Sequence, residues 1–262
     1  MKFVLNRRYR GRRFVLVLVS RPDRPRPRAL APSFVAAAAA LYGLRRVGRR
    51  SGVTTAEASE ALPGDELVAD ARWTSTRAIT IEASPERVWP WIVQMGFPSH
   101  RAGWYTPNWL DRLTFGIKQR SSDRIVPALQ HLEAGDRVPD SDNQTVFFTV
   151  EAVEPPHVLV LHSTRHLIKP IKTIDFSWAF VIRELPQGRS RLTIRARANY
   201  TPHQALPFVE LVIGPADYVN AGAMLRGIKQ RAENISRTSP TLRADLDVPA
   251  HTDSSSPCTA AP

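Results

Sequence analysis

The stretch that decides the fold is Thr173-Ile174-Asp175-Phe176-Ser177-Trp178-Ala179-Phe180-Val181-Ile182-Arg183, followed after Pro186-Gln187-Gly188 by Arg191-Leu192-Thr193-Ile194-Arg195-Ala196-Arg197-Ala198-Asn199-Tyr200. In the first run Ile174, Phe176, Trp178, Phe180 and Ile182 fall on alternate positions. In the second, Leu192, Ile194, Ala196 and Ala198 alternate with Thr193, Arg195, Arg197 and Asn199. A period of two places successive side chains on opposite faces of a strand. Proline and glycine between the runs read as a hairpin turn. The pattern predicts an antiparallel pair with an apolar inner face and a wet outer face.

Working outward, more strands precede this pair. Thr145–Val153 places Val146, Phe148, Val150 and Ala152 against Phe147, Thr149 and Glu151, and His157–His162 is a short β-rich run after the Pro155-Pro156 turn. Residues 77–83 alternate in the same way, with Ile79 and Ile81 on one side. Ser84-Pro85-Glu86-Arg87 then signals a helix start, since serine caps, proline suits the first turn and glutamate favours the positive end of the helix dipole. That helix carries Val88, Trp91, Ile92 and Met95, with Pro90 inside it and Gly96 at its end. Residues 107–115 predict a short helix with Trp109, Leu110 and Leu113 on one side, and Thr54 or Thr55 caps another ending near Ala61. A last helix starts at Leu206, is interrupted at Gly214-Pro215 and continues through Ile235. Tyr218, Ala221, Leu225, Ile228, Ala232 and Ile235 form its apolar stripe.

Charge divides the chain. Residues 1–50 hold 14 of the 36 Lys and Arg but one of the 24 Asp and Glu, a net of +13, whereas the remaining 212 residues net −1. A polyanion-binding role therefore belongs to residues 1–50 or to nothing. This arm is Arg-rich and proline-spaced over residues 21–28, of a kind that contacts anionic membrane or nucleic acid, and is expected to be partly disordered. Its aromatics are few: Phe3, Tyr9, Phe14, Phe34 and Tyr42. The apolar segment Ala29–Leu44 is shorter than the roughly 20 residues of a membrane-crossing helix. It reads as a short Ala-rich helix, as an anchor or signal-like element, or as residues ahead of the true start. The organisation expected is an arm over 1–50, a folded domain over 51–235 and a polar, disordered tail over 236–262. The single cysteine, Cys258, lies in that tail, so no intrachain disulfide framework exists. A cytoplasmic protein is expected, with peripheral membrane association through the arm.

A strand, then helices, then a run of antiparallel strands and a long last helix is an α+β order. Over residues 60–235 it resembles the helix-grip fold of the START-like superfamily, also called SRPBCC. The resemblance is carried by Leu62-Pro63-Gly64-Asp65, Thr76–Glu82, Pro85–Gly96, Gly103-Trp104-Tyr105, Trp109-Leu110, Ser122–Pro127, Gly135-Asp136, Phe176-Ser177-Trp178 and Met224–Lys229. It implies a curved antiparallel sheet wrapped around the C-terminal helix, with a hydrophobic cavity between them. Members bind lipids, polyketides or other apolar molecules, and a minority catalyse cyclisation or dehydration. The candidate ligand-binding residues are Trp104, Tyr105, Trp109, Phe148, Phe176, Trp178 and Phe180, because an apolar pocket needs large walls and a few orienting polar groups. The plainer alternative is that these rings fill the core.

Other chemistry finds less support. His162-x-x-x-His166 begins at a strand end, where the two rings do not share a helix face, so no metal is expected, and no cofactor loop is present. No Gly-x-Ser-x-Gly elbow occurs and no catalytic residue is assigned. Asp123 and Arg124 read as a surface or loop-fixing ion pair, with an acid/base pair or ligand clamp as the alternative. Binding or transport of a small hydrophobic molecule leads. An aromatase/cyclase-like enzyme in the same cavity and an adaptor tethered through the arm are the alternatives.

Overall fold

Leu192, Ile194, Phe180 and Ile182 do form the centre of an antiparallel sheet, and the rest of the domain assembles on it. The computed structural model describes residues 3–9, 12–18, 48–166 and 171–238. In the N-terminal unit, β1 (Phe3–Tyr9) and β2 (Arg12–Leu18) pair antiparallel, from Phe3 opposite Leu18 to Tyr9 opposite Arg12. The sequence reading assigns no strands to this part of the basic, partly disordered arm. The proline-arginine stretch, the segment Ala29–Leu44 and the tail from residue 239 lie outside the described residues.

The larger unit holds a six-stranded antiparallel sheet in the order β3-β8-β7-β6-β5-β4: β3 (Trp73–Ile81), β4 (Arg137–Pro139), β5 (Phe147–Glu154), β6 (Val158–Ser163), β7 (Thr173–Leu185) and β8 (Arg189–Thr201). The sheet is not closed. The β7–β8 hairpin turns where the sequence placed it, with Gln187 and Gly188 both at positive φ. Helix α1 (Thr55–Ser59) precedes β3, and α2 (Pro85–Val93) and α3 (Asn108–Phe115) lie between β3 and β4. The chain ends in α4 (Gly214–Thr238), 25 residues long. This is the helix-grip arrangement: Ala221, Met224, Leu225, Ile228 and Ala232 of α4 share one core with α2 and with the inner sheet residues Ile81, Phe148, Leu159, Leu161, Phe180, Leu192 and Ile194.

Three local expectations are corrected. In β5 a register shift between Val150 and Ala152 adds a residue to the strand. Val150 and Val153 thus face the inner core, while Ala152 packs outside with Val158, Val160 and Ala179, as a bulge requires. The interruption near Pro215 falls one turn earlier, as a π-helical turn over Val209–Ile213. Proline has no N–H to give to the ladder, and the wider turn absorbs the missing bond. In α3 the buried residues are Leu110 and Asp111, so Trp109 and Leu113 face outward. The Asp111 carboxylate accepts a hydrogen bond from the Thr106 hydroxyl, which fixes the rotation of the helix. Burial raises the Asp111 pKa.

The outer face of β3, β7 and β8 is not wet. Residues 52–69 cover much of it, and the arginines of β8 hold that cover down. Arg195, only 4% exposed, donates to Thr76 Oγ1 at 3.0 Å, to the carbonyls of Glu57, Ala58 and Glu60, and to Asp65 Oδ2 at 2.6 Å. Arg197 reaches the carbonyls of Val68 and Ala69, and Arg191 binds Glu57 and the carbonyl of Gly52. These acceptors include the C-terminal carbonyls of α1, which have no partner within the helix. Glu57 also closes a capping box with Thr54 at the other end of α1. Gly64, at φ +85°, passes so close to the sheet that a Cβ would lie 2.5 Å from Val160 Cγ1. The turn chemistry of Pro63-Gly64 thus serves a close approach as well as a bend.

Candidate functional site

The sequence named seven rings, and the structure divides them. Trp109 is 64% exposed on α3, away from the others. Tyr105 is fully buried and occupied: its hydroxyl accepts from Gln94 Nε2 at 2.8 Å, its backbone N–H donates to Ser121 Oγ at 2.9 Å, and the Arg231 guanidinium lies 4.8 Å from its ring centroid. Burial, the largest effect, pushes its phenol pKa well up. Its φ of 58° is held by this surrounding shell, and Gly103 before it has a φ of 88°. Tyr105 is thus a strut between α2 and α4 rather than a free wall of a cavity.

The other five come together. β7 supplies Phe176, Trp178 and Phe180 from alternate positions, β5 supplies Phe148, and the loop before α3 supplies Trp104. Centroid distances are 4.9 Å for Trp178–Phe180, 5.5 Å for Trp104–Trp178, 5.8 Å for Phe148–Phe176, 5.9 Å for Phe148–Trp178 and 6.2 Å for Trp104–Phe148. These lie in the range where offset and edge contacts are favourable. Phe148 and Phe180 have no free surface and Trp104 almost none. Phe176 and Trp178 are only half-buried, as is Ile174 two residues earlier. The neighbouring strand opposes these large side chains with small ones: Ala198 pairs with Phe176 and Ala196 with Trp178. The Ile174–Phe176–Trp178 strip thus keeps part of its apolar surface uncovered, where the main core meets a second cluster built from Trp73, Val209 and Tyr200.

A polar group borders this strip. The His166 ring lies 4.5 Å from the Phe148 centroid and 6.1 Å from that of Phe176. Its Nε2 is 2.8 Å from Asp140 Oδ2 and its Nδ1 is 2.9 Å from Ser163 Oγ. Serine, histidine and aspartate thus meet, but not as a nucleophile and its base. The Ser163 hydroxyl donates to the Phe147 carbonyl at 2.6 Å and accepts from the Arg165 N–H, so its proton is committed to the backbone. His162 pairs instead with Asp175 at 2.6 Å and Glu151 at 3.4 Å. The two histidines are held apart by separate carboxylates, and among the described residues no group of His, Cys, Asp or Glu is arranged to hold a metal. A cleft of about 530 Å³ opens where β7 begins and β8 ends, lined by Asp70, Arg72, Ile174, Asp175, Tyr200 and His203 among others.

Sequence reasoning missed Gln94 and Arg77, and weighed His166 only as a metal ligand beside His162. Gln94 is fully buried at the end of α2 and organises four segments: it donates to Tyr105 and to the Arg124 carbonyl, and accepts from the Val126 N–H and from Gln130. A lone amide between Val93 and Met95 was the available signal. Arg77, 3% exposed on the inner face of β3, pairs with Asp217 of α4 at 2.6 Å. Burial raises the Asp217 pKa, with Arg77 opposing that effect. Asp123 pairs with Arg231 of α4 at 2.6 Å, rather than with Arg124.

No family model matches the chain, and no curated protein matches it. Solved structures do. A hypothetical protein of Helicobacter pylori is 15% identical with a TM-score of 0.45, covering 69% of this chain and 99% of that one. The Zhui aromatase/cyclase of a Streptomyces species is 13% identical with a TM-score of 0.38, covering 64% of this chain and 98% of that one. The di-domain ARO/CYC protein BexL is 16% identical with a TM-score of 0.39, covering 65% of this chain and 48% of that one. None of these likenesses identifies a substrate for this chain.

Proposed function

We propose that the protein binds a small, flat, apolar molecule against Ile174, Phe176 and Trp178, in the manner of the START-like, or SRPBCC, proteins that its fold resembles. One observation carries the reading: of the three rings on β7, Phe180 is closed over, whereas Phe176 and Trp178 stay half-buried beside two alanines. Leaving aromatic surface uncovered forgoes about 25 cal/mol per Å² of apolar area, which a guest of lipid, polyketide or similar character recovers. Trp178 and Phe176 add stacking, worth about 1 kcal/mol per aromatic contact. The packing of Phe148, Phe180 and Tyr105 limits the guest to this strip and argues against one enclosed at the centre of the domain.

Titration with N-phenyl-1-naphthylamine, an uncharged polycyclic fluorophore, tests this. Saturable binding of one probe per chain is expected, weakened about tenfold by Trp178→Leu, a change that keeps the site apolar. Phe176→Leu serves as the independent second variant. Binding that is absent, or indifferent to both substitutions in folded protein, overturns the proposal.

A second reading is chemistry on the bound guest, and His166 is the observation that favours it, since its Asp140-bound imidazole faces the same rings. It would act as a proton-transfer group, not as partner to a serine nucleophile. His166→Gln leaves probe affinity intact under either reading. Only under the second does it abolish conversion of an aromatic polyketide mimic followed by mass spectrometry.

A further inference from the structure

We propose that α3 docks the protein on an anionic lipid surface. The inference is independent of what the aromatic strip binds. Trp109, Leu113 and Phe115 are 64%, 75% and 63% exposed, on an eight-residue helix whose remaining apolar residue, Leu110, is its anchor to the core. Ile117, buried just past the helix, fixes the other end. The segment between these two anchors therefore stands off the domain with its large apolar side chains outward. Thr114 Oγ1 lies 3.4 Å from Asn220 Oδ1, which sets the exposed Val219 of α4 beside the last turn of α3.

Charge decides what covers this surface. Arg112, Lys118 and Arg120 are exposed on the same segment, and among the described residues none has an ion-pair partner. The only acidic residue between Tyr105 and Ser122 is Asp111, which is buried against Thr106. A two-fold contact with a second copy would bring these cations against themselves. An anionic bilayer instead takes the cations at its headgroups and the indole and aliphatic side chains just below, where tryptophan is favoured. Anchors of protein–protein contacts sit in packed pockets. Here the apolar side chains protrude, which suits insertion into a soft phase.

The test uses the full chain and phosphatidylcholine vesicles with and without phosphatidylglycerol, part of the lipid carrying bromine high on the acyl chain. Bound protein is expected to lose tryptophan emission to the bromines, and Trp109→Phe is expected to remove that quenching while still binding. Trp109→Ser with Leu113→Ser is expected to lower partitioning at least tenfold. Neutralising Arg112, Lys118 and Arg120 to Gln is expected to lower it about fivefold per charge on anionic vesicles and not on neutral ones. The exposed positions make these variants safe for folding, which thermal unfolding checks. Binding without Trp109 quenching places the contact elsewhere, such as residues 1–50, and overturns the proposal. So does equal partitioning of the double variant. A concentration-dependent dimer that the double variant abolishes, in the absence of lipid binding, assigns the surface to a second copy and overturns it as well.

Discussion

Replacing Arg195 with methionine tests whether residues 52–69 are an integral layer of the domain. The arginine sits on β8 with its guanidinium spread over Thr76, three carbonyls near the end of α1 and the Asp65 carboxylate. Methionine preserves much of the volume but removes all five of those hydrogen bonds. Breaking a buried pair by removing one partner costs about 3–5 kcal/mol. Asp65 is partly solvated and keeps its bond from the Leu62 N–H at 3.0 Å, which moves the expectation to the low end, about 3 kcal/mol. For a domain of this size that corresponds to a fall in Tm of roughly 6–12 °C. Urea unfolding at neutral pH, followed by circular dichroism, gives the loss as a shift in midpoint at constant slope. Arg183→Met is the control, because Arg183 and Glu60 form an exposed pair at 2.7 Å whose loss is expected to cost under about 0.5 kcal/mol. A double-mutant cycle with Asp65→Asn then isolates the Arg195–Asp65 coupling. If Arg195→Met costs no more than Arg183→Met, the outer cover is not packed and the reasoning fails.

Glu57 gives a pH dependence. Its hydrogen bond to Arg191, the largest cause, holds its pKa down to about 2 from 4.5. A depressed folded-state pKa contributes stability that is present above the unfolded value of 4.5 and is lost as pH falls from there towards 2. Solvent reaches the pair, so about 1 kcal/mol of the nominal 3 is expected to survive as stability. The gap in unfolding free energy between wild type and Glu57→Gln should therefore shrink between pH 5 and pH 2, and a constant gap contradicts the assignment. Gly227 packs so tightly on the loop before α3 that a Cβ would lie 2.0 Å from the Tyr105 carbonyl oxygen. Gly227→Ala is expected to cost at least 2 kcal/mol by denaturant unfolding, within the range of overpacking. Gly222→Ala on the same helix meets only the Arg226 guanidinium at 3.5 Å and should be neutral or stabilising by up to about 1 kcal/mol. Asp217→Asn removes the counter-charge of buried Arg77 and is expected to cost about 3 kcal/mol, read by the same assay.

The fold was legible because β7, β8 and α4 carry their period in apolar side chains. Alternation fixed the faces of Phe176, Trp178, Phe180, Leu192 and Ile194, and a 3.6-residue stripe fixed Ala221, Leu225, Ile228 and Ala232, although Tyr218 at the head of that stripe is exposed. Where period and burial part company, the reading broke. Arg195 and Arg197 alternate as a solvent face does, yet they are covered, because their partners are backbone carbonyls more than a hundred residues away. No local pattern encodes that. Trp109 and Leu113 share a helix face with the spacing of core residues, but a buried aspartate one position away sets the rotation. The aromatic site was half legible. The five rings that meet were named, whereas His166 comes from the loop after β6 and reaches them only through tertiary packing. Which rings keep free surface depends on neighbours such as Ala196 and Ala198, whose small size carries no signal until the register is known.

Methyl-resolved NMR of the full chain during titration with N-phenyl-1-naphthylamine addresses the central claim most directly. The methyls of Ile174, Ala196 and Ala198 border the half-buried rings and should move together, saturably, with ring-current shifts, while those of Leu159 and Ile228 in the closed core stay in place. Shifts confined to outer or peripheral methyls such as Leu113 and Val212, or none at all as the probe saturates, would mean that the inner strip receives no guest.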